Sequence, residues 1–188
     1  MNVFSNKNAL DANEILRFSS YYRLNITLTT LADFAENPSE ANSNTILFTG
    51  TKPDKYNTPK SFKALELMHD AEISEHSITH HWLAVYNNYV FDSYGYYVLY
   101  DSLKEYDHII TQPHRLQEFD SAVCGEYSLA FLSFINNYQF ESDTTPGKIG
   151  RDFCIEFGLS NDRAENDNII LDWYDEASAP YKNKQRST

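Results

Sequence analysis

The stretch His81-Trp82-Leu83-Ala84-Val85-Tyr86-Asn87-Asn88-Tyr89-Val90-Phe91-Asp92-Ser93 reads as two short strands around a two-residue turn. Asparagine tolerates positive φ, which a tight hairpin turn requires. A loop this short leaves one register, with Tyr86 opposite Tyr89, Val85 opposite Val90 and Leu83 opposite Asp92. Side chains alternate along a strand and cross-strand partners share a face, so His81, Leu83 and Asp92 fall on one side. The carboxylate of Asp92 is then a diagonal neighbour of the His81 imidazole, the relation an orienting acid needs toward a general base. Alternation sends His80 to the opposite face. Asp101, in Tyr100-Asp101-Ser102, lies beyond the hairpin, where a helix-cap role is the one evident.

Upstream, Asp11 and Glu14 have the spacing of a capping box and open a helix through Ile15, Leu16 and Phe18. Residues 24–34 fit either a strand or a helix, and 35–44 read as a loop. Thr45–Thr49 reads as a short buried strand ending at Gly50, residues 51–60 as a loop, and Phe62–Met68 has helical spacing. Downstream, a short helix is expected over 101–107 with Asp101 as its N-cap, then a loop holding Pro113. A longer helix follows from about Ser121 to Tyr138, burying Tyr127, Ala130, Phe131, Phe134, Ile135 and Tyr138. Short elements around 149–157 and 168–174 precede a polar tail over 176–188. The expected fold is α+β, a central and largely antiparallel sheet with a buried helix against it, in one domain over 1–188.

The buried helix opens on Asp120-Ser121-Ala122-Val123-Cys124-Gly125-Glu126-Tyr127. With Ser121 as N-cap, Cys124 lies in the first turn, where free backbone N–H groups and the helix dipole favour a thiolate. A protonated His81 nearby would hold that thiolate as an ion pair. The same N–H groups can bind the oxyanion formed when a thiolate attacks a carbonyl, and Gln117, just upstream, can add a side-chain N–H. Gly125 removes a side chain where a substrate backbone must approach. A lone cysteine in an apolar helix is usually core filler, and that reading suits Cys154 in Phe153-Cys154-Ile155. For Cys124, the order and spacing of His81, Asp92, Gln117 and Cys124 point instead to a thiol hydrolase.

Bulk properties narrow the class. The net charge of −12 argues against a phosphate backbone as partner. The basic residues Lys182, Lys184 and Arg186 read as a solvated terminus. No apolar stretch approaches a membrane span and residues 1–7 lack a secretory core, so a soluble, intracellular protein with two free thiols is expected. Nothing in the chain asks for a metal or another cofactor.

Taken together, His81-Trp82, Phe91-Asp92-Ser93-Tyr94-Gly95 and Gln117-x-x-x-Ser121-Ala122-x-Cys124-Gly125 resemble the adenovirus-type maturation proteases. Those are similar to the cysteine proteases that remove ubiquitin-like modifiers such as SUMO. The order His, Asp or Glu, Gln, Cys is shared by both, and the Gln-to-Cys interval with Ser-Ala before Cys favours the viral branch. The resemblance covers about residues 45–138. It implies Cys124 as nucleophile, His81 as general base and later acid, Asp92 as its orienter and Gln117 in the oxyanion hole. It also implies that Trp82 walls a narrow channel admitting small residues, commonly glycine, beside the scissile bond.

By that resemblance the substrates are capsid or scaffold precursors of a virus, a virophage or a virus-like transposon. The enzyme would act as a monomer in the host cytoplasm, the viral factory or the virion. The hairpin is shorter than the adenoviral one, but trimming both strands equally keeps the register. The acidic chain departs from the basic adenoviral type, so activation by DNA or by a disulfide-linked peptide is not carried over. A protease for a ubiquitin-like modifier, an acetyltransferase with the same triad and a silent binding module are the alternative expectations.

Overall fold

The computed structural model describes residues 9–38, 43–50, 55–56, 80–95, 100–118 and 121–184. The helix expected over Phe62–Met68 and most of the loop 51–60 lie outside them. In chain order the described elements are α1 (Ala12–Tyr22), β1 (Thr27–Thr30), α2 (Leu31–Glu36), β2 (Asn44–Phe48), β3 (Trp82–Tyr86) and β4 (Tyr89–Phe91). A 3-10 turn (Asp101–Leu103), β5 (Asp107–His108), α3 (Cys124–Ile135), α4 (Pro146–Phe157) and α5 (Arg163–Lys184) complete them.

The fold is α+β, and the five strands lie in the order β1-β2-β3-β4-β5. The sheet is mixed rather than largely antiparallel. The pairs β2–β3 and β3–β4 are antiparallel, while β1–β2 and β4–β5 are parallel. Connection length explains the difference: β3 and β4 are joined by Asn87-Asn88 alone, whereas residues 31–43 and 92–106 are long enough to cross over and start again at the same end. The hairpin register is the expected one, with Tyr86 opposite Tyr89, Val85 opposite Val90 and Ala84 opposite Phe91. Asn87 takes φ 52, the left-handed conformation that the turn requires.

Both faces of the sheet are covered. Leu47, Leu83, Val85 and Val90 point into a cluster with Leu31 and Phe34 of α2, Tyr94, Tyr100 and Leu103. Ile46, Ala84 and Phe91 point the other way, toward α1, α3, α4 and α5. The second layer is organised around α3, in which every residue from Cys124 to Leu132 and also Ile135 is buried. Phe91 of β4 stacks on Phe131 of α3 at 4.5 Å, and Phe153 of α4 closes on both rings edge-first. Cys154, beside Phe153, belongs to this core as expected.

One polar contact crosses the same layer. Asn44 Nδ2 donates to Asn136 Oδ1 at 3.2 Å and Asn136 Nδ2 donates back to Asn44 Oδ1 at 2.8 Å. The same two nitrogens also donate to the Leu24 and Leu132 carbonyls. The buried start of β2 is thereby tied to the end of α3.

Several boundaries differ from the expectations. The ambiguous stretch 24–34 holds both a strand and a helix, β1 and most of α2, with Thr30 capping the helix through Asp33 N–H. The Asp11–Glu14 capping box forms in both directions. Asp101 begins a single 3-10 turn rather than capping a helix over 101–107, because residues 107–108 are drawn into the sheet beside β4. The short elements near 149–157 and 168–174 are parts of the longer helices α4 and α5, and α5 runs through the supposed polar tail to Lys184. Tertiary contacts hold that stretch helical: Tyr22 donates its hydroxyl hydrogen to the Ala177 carbonyl, and the Tyr21 and Tyr181 rings lie 5.5 Å apart. Among the described residues no helix is long and apolar enough to cross a membrane.

The approach of α4 to the loop before Gln117 is tight. A Cβ on Gly150 would sit 2.2 Å from the Ile110 carbonyl oxygen, whereas one on Gly147 would meet nothing within 4 Å. Gly150→Ala is expected to cost about 1–3 kcal/mol through forced backbone displacement. Gly147→Ala is expected to gain about 0.5–1 kcal/mol from helix propensity. Urea unfolding midpoints of the two variants, moving in opposite directions, check this.

Candidate active site

His81 sits one residue before β3 and is held at both ends of its peptide. Its N–H donates to Thr49 Oγ1 at 3.1 Å and its carbonyl accepts from Thr49 N–H at 2.9 Å. Thr49 in turn directly follows β2, so the imidazole is carried by the ends of two neighbouring strands. Asp92 directly follows β4, where the chain leaves the sheet in a turn closed by Gly95 N–H to the Asp92 carbonyl. Gly95 has φ 70, and a Cβ there would stand 2.6 Å from the His114 carbonyl oxygen, so both conformation and space select glycine.

The two side chains meet as the register requires. Nε2 of His81 lies 2.8 Å from Oδ1 of Asp92, and the same oxygen accepts from Tyr94 N–H at 2.8 Å. His81 is 1% exposed and Asp92 7% exposed, so the pair is out of water. His80 is exposed, has φ 55, and its ring faces Phe48. Burial alone would lower the imidazole pKa. The Asp92 carboxylate and then the Cys124 side chain outweigh that and hold it up, at about 10.

Cys124 is the first residue of α3 and 4% exposed. Its side chain is one of the groups that raise the His81 pKa. Because Asp92 occupies Nε2, the nitrogen left over is Nδ1, which is buried without a hydrogen bond of its own. The cap differs from the expectation. Val123, not Ser121, is the residue before the helix and supplies no side-chain cap, while the Ser121 hydroxyl donates to the Glu118 carbonyl. The thiol is therefore nearer the helix terminus than a Ser121 cap would place it, among N–H groups that have no intrahelical partner.

Gly125 and Trp82 are neighbours, and a third residue crowds the glycine in a way the sequence does not suggest. A Cβ on Gly125 would lie 3.0 Å from Leu10 Cβ and 3.5 Å from Trp82 Cδ1. The missing side chain makes room for Leu10, while the indole would be at ordinary contact distance. Trp82 also packs on Phe48, with ring centroids 4.7 Å apart.

Gln117 is fully buried, and its amide contacts Ser93, Tyr94 and Ser121 rather than Cys124 itself. The loop that carries it is anchored by the Leu116 carbonyl, which accepts from the Tyr127 hydroxyl and from Asn166 Nδ2. Asp167 adds a second anchor, accepting from Glu118 N–H and from Tyr127. Burial pushes the Asp167 carboxyl up to about 6 against these hydrogen bonds. Burial likewise pushes Glu126, in the first turn of α3, up to about 7, with Glu14, Asp175 and Asp167 adding repulsion. A partly protonated Glu126 spares the start of the helix some of the negative charge that would oppose a thiolate.

Ser93, Tyr94, Asn166 and Asp167 are the site's neighbours that sequence reasoning assigned no role. The Asp92-x-x-Gly95 spacing signals a turn but is silent on what its two middle side chains touch. Asn166 and Asp167 come from a helix with no local pattern linking it to the site.

Burial pushes the Cys154 thiol up to about 11, which fits a core residue. Neither Cys124 nor Cys154 is in a disulfide. Among the described residues no cluster of three His, Cys, Asp or Glu side chains could hold a metal. No protein-family model, curated protein or solved structure matches the chain.

The His81 imidazole titrates above its ordinary 6.5, so the stability it lends is complete below that pH and is lost as pH climbs through about 10. In Asp92→Asn, burial acts with only Cys124 against it, and the pKa should fall. Long-range proton–nitrogen NMR of the His81 ring through a pH series should show imidazolium at neutral pH in the wild type and a downward-shifted transition in the variant.

Proposed function

We propose that this chain is a cysteine endopeptidase of the adenovirus maturation type. The observation that carries the reading is the buried His81. One ring nitrogen is bound to Asp92, the other is buried without a hydrogen-bond partner, and Cys124, the first residue of a helix, acts with Asp92 to raise the imidazole pKa. A structural histidine this deeply buried has little reason to leave a nitrogen unpaired, since an unsatisfied buried polar atom costs about 1–3 kcal/mol.

Proton transfer from Cys124 to His81 makes a thiolate–imidazolium pair, which Asp92 and the helix terminus favour. The thiolate forms a C–S bond to the scissile carbonyl, and the oxygen takes the negative charge. Backbone N–H groups at the start of α3 and the Gln117 amide are the donors for it. Collapse breaks the C–N bond as imidazolium passes its proton to the leaving amine. Water then attacks the acyl-enzyme with His81 as base, releasing the acid and restoring the thiol. In this reading Trp82, near Gly125 at the helix start, narrows the approach to small residues. Capsid or scaffold precursors are the substrates the resemblance favours.

Wild-type protein incubated with a proteome-derived peptide library, or co-expressed with a capsid precursor, should generate new termini clustered beside small residues. Cys124→Ala should lower the rate by at least about 10⁴-fold. Mass spectrometry of the products decides: equal cleavage by the variant, or none by the wild type, sinks the protease reading.

A further inference from the structure

Ser93 is 1% exposed, and its hydroxyl lies 2.6 Å from Oε1 of Gln117. Chemistry decides which end of the amide is which. The Ser121 carbonyl, 3.0 Å from the other end, can only accept, so the nitrogen must face it. The amide oxygen then faces Ser93, which must donate. Backbone contacts reinforce the pairing, because the Ser93 carbonyl accepts from Leu116 N–H at 3.0 Å and from Gln117 N–H at 3.3 Å.

The second hydrogen on Gln117 Nε2 goes to the Tyr94 hydroxyl at 3.3 Å, the longest of the three amide contacts. That hydroxyl itself donates to the Ser121 carbonyl at 3.2 Å. The Tyr94 ring lies on His81, with centroids 4.6 Å apart, and its N–H is bound to Asp92. Three consecutive residues thus hold the imidazole, the amide and the carbonyl three positions ahead of Cys124.

We infer that Ser93 and Tyr94 are positioning residues, Ser93 fixing the polarity of the Gln117 amide and Tyr94 holding its second N–H until an oxyanion takes it. This rests on the protease reading. A reversed amide would present its oxygen, not its nitrogen, to the developing negative charge. With Tyr94 as a weak resting acceptor, the N–H is satisfied before substrate arrives and is released at little cost afterwards.

The test uses a peptide cleaved by the wild type, chosen from the library, together with alkylation of Cys124 by iodoacetamide. Alkylation needs the thiolate but forms no oxyanion, so it also reports that the triad is folded. Ser93→Ala should lower kcat by about 10-fold or more at unchanged KM, with alkylation at the wild-type rate. Ser93→Thr, which keeps a hydroxyl, should recover most of the loss. In a Gln117→Ala background, neither Ser93→Ala nor Tyr94→Phe should have any further effect on kcat. Tyr94→Phe keeps the ring on His81 and carries the test should Ser93→Ala fail to fold. Wild-type kcat in Ser93→Ala and Tyr94→Phe, an equal loss without Gln117, or alkylation slowed in proportion to hydrolysis would overturn the inference. A wild type that alkylates yet cleaves no peptide would sink the protease reading, and the inference with it.

Discussion

Removing an imidazole and a carboxylate from water together is a costly commitment, and much of the site is arranged around it. Either group buried alone would carry a penalty of several kcal/mol, and mutual attraction offsets that only where geometry is good and leftover lone pairs are satisfied. Here Asp92 Oδ1 takes Nε2 of His81 and the Tyr94 N–H together. The His81 peptide is bonded twice to Thr49, so the ring is aimed from a fixed backbone. The anchors come from the ends of β2, β3 and β4, which means that sheet register sets the pair's separation directly. A slip of one residue in the hairpin would send His81 to the wrong face and leave Asp92 buried without its partner.

The site is assembled at the junction of two layers. Val85 and Val90, on the parity of His81 and Asp92, face the α2 side of the sheet, whereas Cys124 begins a helix packed on the opposite side. Thiol and imidazole can meet only beyond the paired strand ends, where neither face is closed by the sheet itself. This is why loops, not strands, supply Asp92, Ser93, Tyr94 and Gln117. It is also why the loop before α3 has so many anchors, with Tyr127, Asn166 and Asp167 all engaged around residues 116–118.

Those features whose causes lie within a few residues were legible in the sequence. A two-residue Asn-Asn turn admits one register, and that register brought His81 rather than His80 to Asp92. The capping box at Asp11 and Glu14 is likewise a local device and forms as read. Features decided by distant contacts were not legible. The parallel pairing of β1 with β2 depends on where a crossover lands, and α5 extends past Ala177 because Tyr21 and Tyr22 of α1 pack on it. Ser121 has the chemistry of an N-cap, yet its hydroxyl is engaged with Glu118 and the helix begins later. For Gln117 the position was readable, but its partners Ser93 and Tyr94 arrive from a separate turn.

The reciprocal amides of Asn44 and Asn136 bear on all of this from the far end of α3. Apolar burial is non-directional, so it resists sliding of a helix along its axis less sharply than hydrogen bonds do. Two hydrogen bonds running in opposite directions between the same pair of side chains tolerate no such sliding. They work as an axial stop. Cys124 lies twelve residues from Asn136, roughly 18 Å at the rise of an α-helix, and a helix is stiff over that length. Two asparagines that touch neither residue thereby help to fix the height of the thiol relative to His81.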